Sequence, residues 1–338
     1  MNVFIKHISY CLPEKTLTNE SLVRDFPEWT AAKVAEKIGV RTRHIVSENE
    51  TALDMAVKAA NLFFEEHEIE RSSIDFILLC TQSPDYFLPT SACILQNLLK
   101  LPTHCGALDF NLGCSGFIYG LSLAKGLIVA NIAKNVLLIT SETYSKYIHP
   151  QDKNNRTIFG DAAAVTLIST GGDAEILNFS LGTDGSGYKN LIVKSGALRQ
   201  PYKTNKIDFD EANNPVSEDY LYMNGTEIFS FTLEAVPRSV EETLKNNSLN
   251  KNEISLYILH QANKYMLDFL RKKMEIENDK FYYCLENFGN TVSSTIPIAL
   301  KEAAKEGKLK GNILLAGFGV GYSWGGCIIK VGNGYQSI

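Results

Sequence analysis

The stretch Asp109-Phe110-Asn111-Leu112-Gly113-Cys114-Ser115-Gly116-Phe117-Ile118 passes from an apolar run into a helical pattern, with a cysteine at the junction. Beyond it Phe117, Leu121, Ala124 and Ile128 recur at i, i+4, i+7 and i+11, the spacing of one buried helix face. Cys114 is therefore expected at or near a helix N-terminus. Unpaired N–H groups and the positive end of the helix dipole favour a thiolate there and lower the thiol pKa from its free value of about 8.5. Gly113 and Gly116 permit a sharp turn and close backbone approach. This is the layout of a nucleophile on a strand-to-helix turn, with backbone N–H groups placed to receive an oxyanion. The alternative is a buried structural cysteine, because free Cys is among the most buried residue types.

Two downstream segments bear on that choice. Leu259-His260-Gln261-Ala262-Asn263 follows the apolar run Ile254 to Leu259 and precedes a helical pattern, so His260 is expected at a strand end. Asn287-Phe288-Gly289-Asn290-Thr291 repeats the arrangement after Phe281 to Leu285, read as a strand, and ahead of Ile296, Ile298, Ala299 and Leu300. Three polar residues capable of chemistry thus stand at three strand-to-helix junctions, and ligands of open α/β sheets bind at the carboxyl ends of strands. Each alone has a plainer explanation: a satisfied structural histidine, or an Asn-Thr pair serving as a helix N-cap.

Gly113-Cys114-Ser115-Gly116-Phe117, His260-Gln261-Ala262-Asn263, Gly289-Asn290-Thr291 and Gly317-Phe318-Gly319-Val320-Gly321-Tyr322-Ser323-Trp324-Gly325 occur together and in this order. In these motifs, and from Tyr10-Cys11-Leu12-Pro13 to the C-terminal strand, the chain resembles β-ketoacyl-acyl-carrier-protein (ACP) synthase III, a family of thiolase-fold condensing enzymes. The resemblance implies an α/β, thiolase-like fold of two similar halves in a layered αβαβα architecture: 1–172 with the nucleophilic Cys, and 173–338 with the His and Asn. It implies an acyltransferase in fatty-acid or specialised lipid and secondary-metabolite biosynthesis. Acyl-coenzyme A (acyl-CoA) would acylate Cys114, and decarboxylative Claisen condensation with malonyl-ACP or malonyl-CoA would follow.

The same resemblance implies the roles of individual residues. The catalytic set is Cys114, His260 and Asn290, with the backbone N–H groups of Cys114 and Val320 as oxyanion hole; the family usually has glycine where Val320 stands. Trp29, Lys153 (or, as the alternative from the same loop, Arg156) and Asn263 are the expected CoA contacts, although Trp29 reads equally as a core anchor. Arg271, Lys272 and Lys273 are expected to dock an acidic carrier protein, or else to complement the helix dipole. Two other basic positions of that family surface are Ser230 and Tyr265 here. Leu88, where many acetyl-primed members carry Phe, is expected to close the acyl pocket of a partner subunit in a homodimer. The smaller side chain leaves room for longer or branched acyl donors.

Composition agrees with a globular enzyme. The chain has 338 residues, 45% hydrophobic and 21% charged, enough for a sizeable core in two fused halves. A net charge of −5 argues against a general nucleic-acid surface. The N-terminus lacks the layout of a signal peptide, and no apolar run approaches the roughly 18 residues of a membrane span, so a cytoplasmic protein with no membrane partner is expected. Seven widely spaced cysteines without a Cys-x-x-Cys pair suggest neither a disulfide framework nor a zinc site; what the family resemblance implies is acyl-CoA as substrate, with no cofactor and no metal. Cys80, Cys284 and Cys327 lie in apolar runs and read as small core residues; Cys114 is expected to be the one rapidly alkylated thiol, because it alone combines a helix start with access from a pocket.

Along the chain, strands are expected at Val3–Ser9, Ile74–Cys80, Cys105–Phe110, Val136–Thr140, Ala162–Ser169, Ile176–Leu181 and Leu256–Leu259. Helices are expected at Ala31–Ile38, Thr51–Phe64, Ser91–Leu99, after Cys114, and at Thr226–Leu244. This alternation implies a layered α/β architecture. Gly171-Gly172-Asp173 marks a boundary after which the element order restarts. The polar segment Thr183 to Tyr220, with Pro201 and Asn213-Asn214-Pro215, reads as loop, either a solvated excursion or a lid. Two other functions compete. A papain-like cysteine hydrolase also has Cys, His and Asn in that order, and His260 lies 146 residues after Cys114, inside its window of about 130–150. Its local cysteine signature is absent. A non-catalytic partner of a condensing enzyme would have lost one of the three residues.

Overall fold

The structure is a computed structural model that describes residues 1–211 and 214–332. Asn213 of the expected loop lies outside the described residues, as do 212 and the last six positions. Nine strands form one mixed sheet. In chain order they are β1 (Phe4–Cys11), β2 (Phe76–Cys80), β3 (Gly106–Phe110), β4 (Asn135–Glu142), β5 (Ala162–Ser169), β6 (Ala174–Thr183), β7 (Ile254–Leu259), β8 (Gly311–Gly319) and β9 (Ser323–Val331). Their spatial order is β7-β8-β9-β6-β1-β5-β4-β2-β3.

The order restarts at β6. From the centre outward, β1 is antiparallel to β5, β5 to β4, and β4 is parallel to β2 and β2 to β3. On the other side β6 is antiparallel to β9, β9 to β8, and β8 is parallel to β7. The helices repeat in step: α1 (Ala52–His67), α2 (Ser91–Leu98) and α3 (Gly116–Val129) in the first run, α4 (Gly225–Asn246), α5 (Lys264–Lys273) and α6 (Thr295–Lys305) in the second.

The place of β3 in the second run falls at Phe281 to Leu285, read above as a strand. It is not one: a single parallel bridge joins Phe281 to Tyr257. The reason lies in Gln261, whose side-chain amide accepts from Cys284 N at 2.6 Å and donates to Tyr282 O at 3.3 Å, replacing a backbone ladder with a side chain. Cys284 is only partly buried, whereas Cys80 and Cys327 are fully so.

Helix ends follow their sequence signals. Thr51 and Asp54 form a capping box at α1, and Asn263 caps α5 by accepting from Met266 N. Asp109, on β3, accepts from the Ser91 and Ala92 N–H groups at 2.6 Å each and so caps α2 from a neighbouring strand. Apolar layers then sort the helices. Residues of α1 and α2 share one buried cluster, those of α4 and α5 a second. Phe117, Leu121, Ala124 and Ile128 of α3 join Ile296, Ala299, Leu300 and Ala303 of α6 in a third, with side chains from strands of both runs. The two central helices are thus packed between the halves of the sheet, in the layered α/β arrangement expected.

β8 runs directly against the turn that carries Cys114. A Cβ added at Gly317 would lie 2.8 Å from Cys114 O and 2.9 Å from Ser115 Cα, both backbone atoms with no freedom to swing aside. Gly317→Ala is therefore expected to destabilise the protein by about 1–3 kcal/mol, the usual range for overpacking. Urea unfolding checks this, and an unchanged midpoint would contradict the packing described.

Candidate active site

Cys114 sits between β3 and α3, two residues before the first helical residue. Ser115 takes the N-cap position, but its hydroxyl is 2.6 Å from Ser323 Oγ and does not cap α3. Gly116 N–H donates to Gly113 O at 2.8 Å, closing the turn. Gly116 also allows α3 to start against β2, for an added Cβ would lie 2.3 Å from Cys80 Sγ.

His260 and Asn290 come to the same cavity, of about 540 Å³, together with Cys114, Phe159, Phe318 and Gly319. His260 directly follows β7 and is anchored by its own N–H to Ala316 O at 2.8 Å. Its Nδ1 is 2.7 Å from Thr295 Oγ1, and the Phe318 ring stands edge-on to it with centroids 5.5 Å apart. Burial lowers its pKa to about 3, so the imidazole is neutral.

Asn290 is fixed on both sides. Its backbone N–H donates to Ile158 O at 2.8 Å and its carbonyl accepts from Gly160 N. Its Oδ1 accepts from Val292 N at 2.9 Å, which turns the NH2 group towards His260, with Nδ2 3.4 Å from Nε2. To make that bond Val292, a β-branched residue, adopts a left-handed φ of 55°, a conformation that costs on the order of 1–3 kcal/mol and clusters at functional sites.

The thiol does not behave as the helix dipole alone suggests. Cys114 is only 6% exposed, and burial, with the nearby Glu142 carboxyl, pushes its pKa up. Glu142 is itself buried and raised to about 8, although it accepts from Gln82 N and the Ser83 and Ser293 hydroxyls. Nor is Cys114 the only accessible thiol, since Cys93 is exposed. Alkylation alone does not identify the nucleophile.

The remaining expected residues divide into two groups. Near Cys114, a Cβ added at Gly319 would lie 3.0 Å from Cys114 Cβ and 3.2 Å from its Sγ, so the strand end bearing Val320 abuts the thiol. Asn263 lines the cavity, as does Lys37. Away from the cavity lining, Lys153 pairs with Glu28 at 3.2 Å and Arg156 with Asp25 at 3.0 Å, around the turn that carries Trp29, which is partly buried. Lys272 and Lys273 are exposed at the end of α5, while Arg271 donates to Ile276 O. Leu88 is 81% exposed, beside the similarly exposed Phe87.

Sequence reading missed several residues. Tyr144 packs in the apolar cluster that holds Cys114, and its hydroxyl donates to Gln82 Oε1 at 2.5 Å. Leu191 and Met223, from paired short strands inside and just after the 183–220 segment, wall the cavity; part of that segment is therefore neither solvated excursion nor free lid. Thr295 was legible only as part of a helical run, and Phe318 only as part of the Gly317–Gly325 motif. Among the described residues no group of three or more His, Cys, Asp or Glu side chains is placed to hold a metal ion, and no helix is long and apolar enough to cross a membrane.

Comparison with known proteins supplies an independent line. Residues 108–185 match a family model described as 3-oxoacyl-[acyl-carrier-protein (ACP)] synthase III, and residues 244–331 match the C-terminal model of the same family. The chain is 36% identical over 322 residues to a β-ketoacyl-[acyl-carrier-protein] synthase III of Clostridium perfringens, covering 94% of this chain and 96% of the relative. A 2.1 Å crystal structure of a 3-oxoacyl-(acyl-carrier-protein) synthase III superposes with a TM-score of 0.95 at 47% identity, covering 98% of this chain and 100% of that one. A 3-oxoacyl-(acyl-carrier protein) synthase from Burkholderia xenovorans gives 0.89 at 36% identity, covering 100% of this chain and 96% of the other.

The depressed His260 pKa has a signed consequence for stability. The unfolded chain binds a proton at this residue below about 6.5 that the folded protein refuses until about 3. Stability from this source is complete above pH 6.5 and is lost as pH falls towards 3. Unfolding free energies measured from pH 7 to pH 4 should decline less steeply in His260→Gln than in the wild type; parallel curves would contradict the neutral, buried ring.

Proposed function

This chain belongs to the 3-oxoacyl-acyl-carrier-protein synthase III family, and from that membership we propose that it condenses an acyl group from acyl-CoA with a malonyl thioester, with Cys114, His260 and Asn290 as its catalytic residues. The observation that carries the residue assignment is their convergence on one cavity from three separate places in the chain: Cys114 and His260 at the ends of strands, and Asn290 in the loop ahead of α6.

In the first half-reaction Cys114 Sγ attacks the thioester carbonyl, and the oxyanion is received by the N–H groups of Cys114 and Val320. The C–S bond to CoA breaks, and the proton lost by the Cys114 thiol ends on the CoA thiol. In the second, the malonyl thioester loses carbon dioxide, and His260 Nε2–H and the Asn290 amide hold the enolate oxygen. The enolate carbon bonds to the acyl carbonyl, the C–S bond to Cys114 breaks, and the thiolate takes up a proton. A neutral His260 suits a hydrogen-bond donor to a developing negative charge in a dry site, where such donors act most strongly.

The same reading divides the chain into halves 1–172 and 173–338, supported by the repeated strand order, and places it in the cytoplasm, where all seven cysteines stay free. It assigns acyl carrier protein to the surface around the exposed Lys272 and Lys273. Trp29, Lys153 and Arg156 remain its CoA contacts, and a phosphate there would compete with Asp25 and Glu28. A papain-like hydrolase has no support in this family membership, and a non-catalytic partner none in a site that keeps all three groups.

The two half-reactions can be separated. His260→Ala and Asn290→Ala should still take an acyl group onto Cys114, seen by intact-protein mass spectrometry, while malonyl decarboxylation falls by about 10²–10³. If neither variant acylates, these residues serve nucleophile activation instead.

A homodimer belongs to the same proposal. β3 is an edge strand carrying the half-exposed Leu108, and Tyr86, Phe87 and Leu88 form an exposed apolar loop. With Leu88 of the partner subunit at the end of the acyl pocket, medium-chain or branched acyl-CoA should acylate Cys114 at least as well as acetyl-CoA. The preference should be graded, because a methylene in an apolar pocket is worth only about 1–3 kcal/mol. Leu88→Phe should shift the optimum towards acetyl. Sedimentation showing only monomer, or an acetyl optimum unmoved by the substitution, would end this part of the proposal.

A further inference from the structure

The reading above needs His260 to donate from Nε2, and a neutral imidazole does so only if Nδ1 is the unprotonated nitrogen. What Nδ1 meets therefore decides what the ring can do. It meets the buried hydroxyl of Thr295, at 2.7 Å. That hydroxyl has one proton and two acceptors in reach, His260 Nδ1 and the Val292 carbonyl at 3.1 Å. The first distance is typical of a strong hydroxyl hydrogen bond, and the second lies at the long edge of the range.

We infer that Thr295 is a positioning residue that fixes the tautomer of His260: its hydroxyl donates to Nδ1, so the single ring proton stands on Nε2, beside the Asn290 amide and facing the cavity. The Asn290 geometry supports this independently. Val292 N–H holds Oδ1, so Asn290 presents Nδ2 as a donor, 3.4 Å from Nε2, which is longer than an ordinary hydrogen bond. Were Nε2 the unprotonated nitrogen, Asn290 would have an acceptor before it and reason to close that gap. Two donors side by side instead stand apart and leave both hydrogens for a third atom. Thr295 is the first residue of α6 and Asn290 lies five positions before it, so one helix start supplies both the second donor and the group that orients the first.

The inference rests on the proposed role of His260 and Asn290 in holding the enolate, and the two can fail separately. The tautomer is read by ¹⁵N–¹H multiple-bond NMR on protein with labelled histidine, the His260 signals among the six being those absent in His260→Ala. The expected result is a proton on Nε2 in the wild type. Thr295→Val, which keeps the shape and removes the hydroxyl, should lose that single tautomer. Its kcat for malonyl decarboxylation should fall about tenfold, the worth of one hydrogen bond, with KM little changed. Thr295→Ser should restore both. A wild-type proton on Nδ1, or full decarboxylation by Thr295→Val, overturns the assignment; if Thr295→Val fails to fold, the wild-type spectrum still decides. Full decarboxylation by His260→Ala would instead remove the enolate role itself.

Discussion

Everything at the site depends on two buried helices starting side by side. α3 and α6 contribute to one apolar cluster between the halves of the sheet, and that shared packing holds their axes together. Small groups let their N-terminal ends meet: a Cβ at Gly116 would stand 3.5 Å from Ser293 Cβ, while Ser294 Oγ ties the start of α6 to Thr140 Oγ1 of β4 at 2.8 Å. A larger residue at Gly116 or Ser293 would part the two starts, and with them Cys114 and Asn290. His260 completes the set because β7 ends level with β8, whose Ala316 carbonyl receives the His260 N–H.

The site is built to be electrically quiet at rest. Burial keeps His260 neutral and pushes the Cys114 thiol and the Glu142 carboxyl towards their protonated forms. Low polarisability makes ions costly before reaction and makes fixed donors effective once negative charge develops. Under the proposed mechanism the charge appears on substrate oxygen, where the Asn290 amide and the His260 ring already stand, so little reorganisation is needed. The left-handed Val292 is part of this arrangement, since its N–H settles which face of the Asn290 amide looks into the cavity.

The cavity wall combines pieces far apart in the chain. Leu191 and Met223 belong to a pair of two-residue strands, while Phe229, Tyr265 and Met266 come from α4 and α5. Phe229 and Tyr265 stack with centroids 5.6 Å apart, and the Phe269 ring stands edge-on to Phe229. Of the proposed catalytic groups, Cys114 and His260 follow strands of the sheet and Asn290 precedes α6, while the cavity wall is assembled from helices and from part of the 183–220 segment.

The amino-acid order alone determined the alternation of strands and helices, the placing of Cys114 and His260 at strand-to-helix junctions and of Asn290 ahead of a helix, and the family. These are local properties, written in periodicity, caps and glycine spacing. Tertiary structure decided the rest, because it depends on depth and on partners distant in sequence. Helix-start chemistry predicted a lowered Cys114 pKa; burial, invisible in a single segment, reversed its direction. The run Phe281 to Leu285 has the composition of a strand, but the amide of Gln261 takes the hydrogen bonds a strand would make. The ion pairs that join Lys153 to Glu28 and Arg156 to Asp25 unite segments more than a hundred residues apart and are set by the fold alone. Thr295 carried no signal at all, since a threonine opening a helix is ordinary until the fold brings a histidine ring 35 residues away in sequence to 2.7 Å from its hydroxyl.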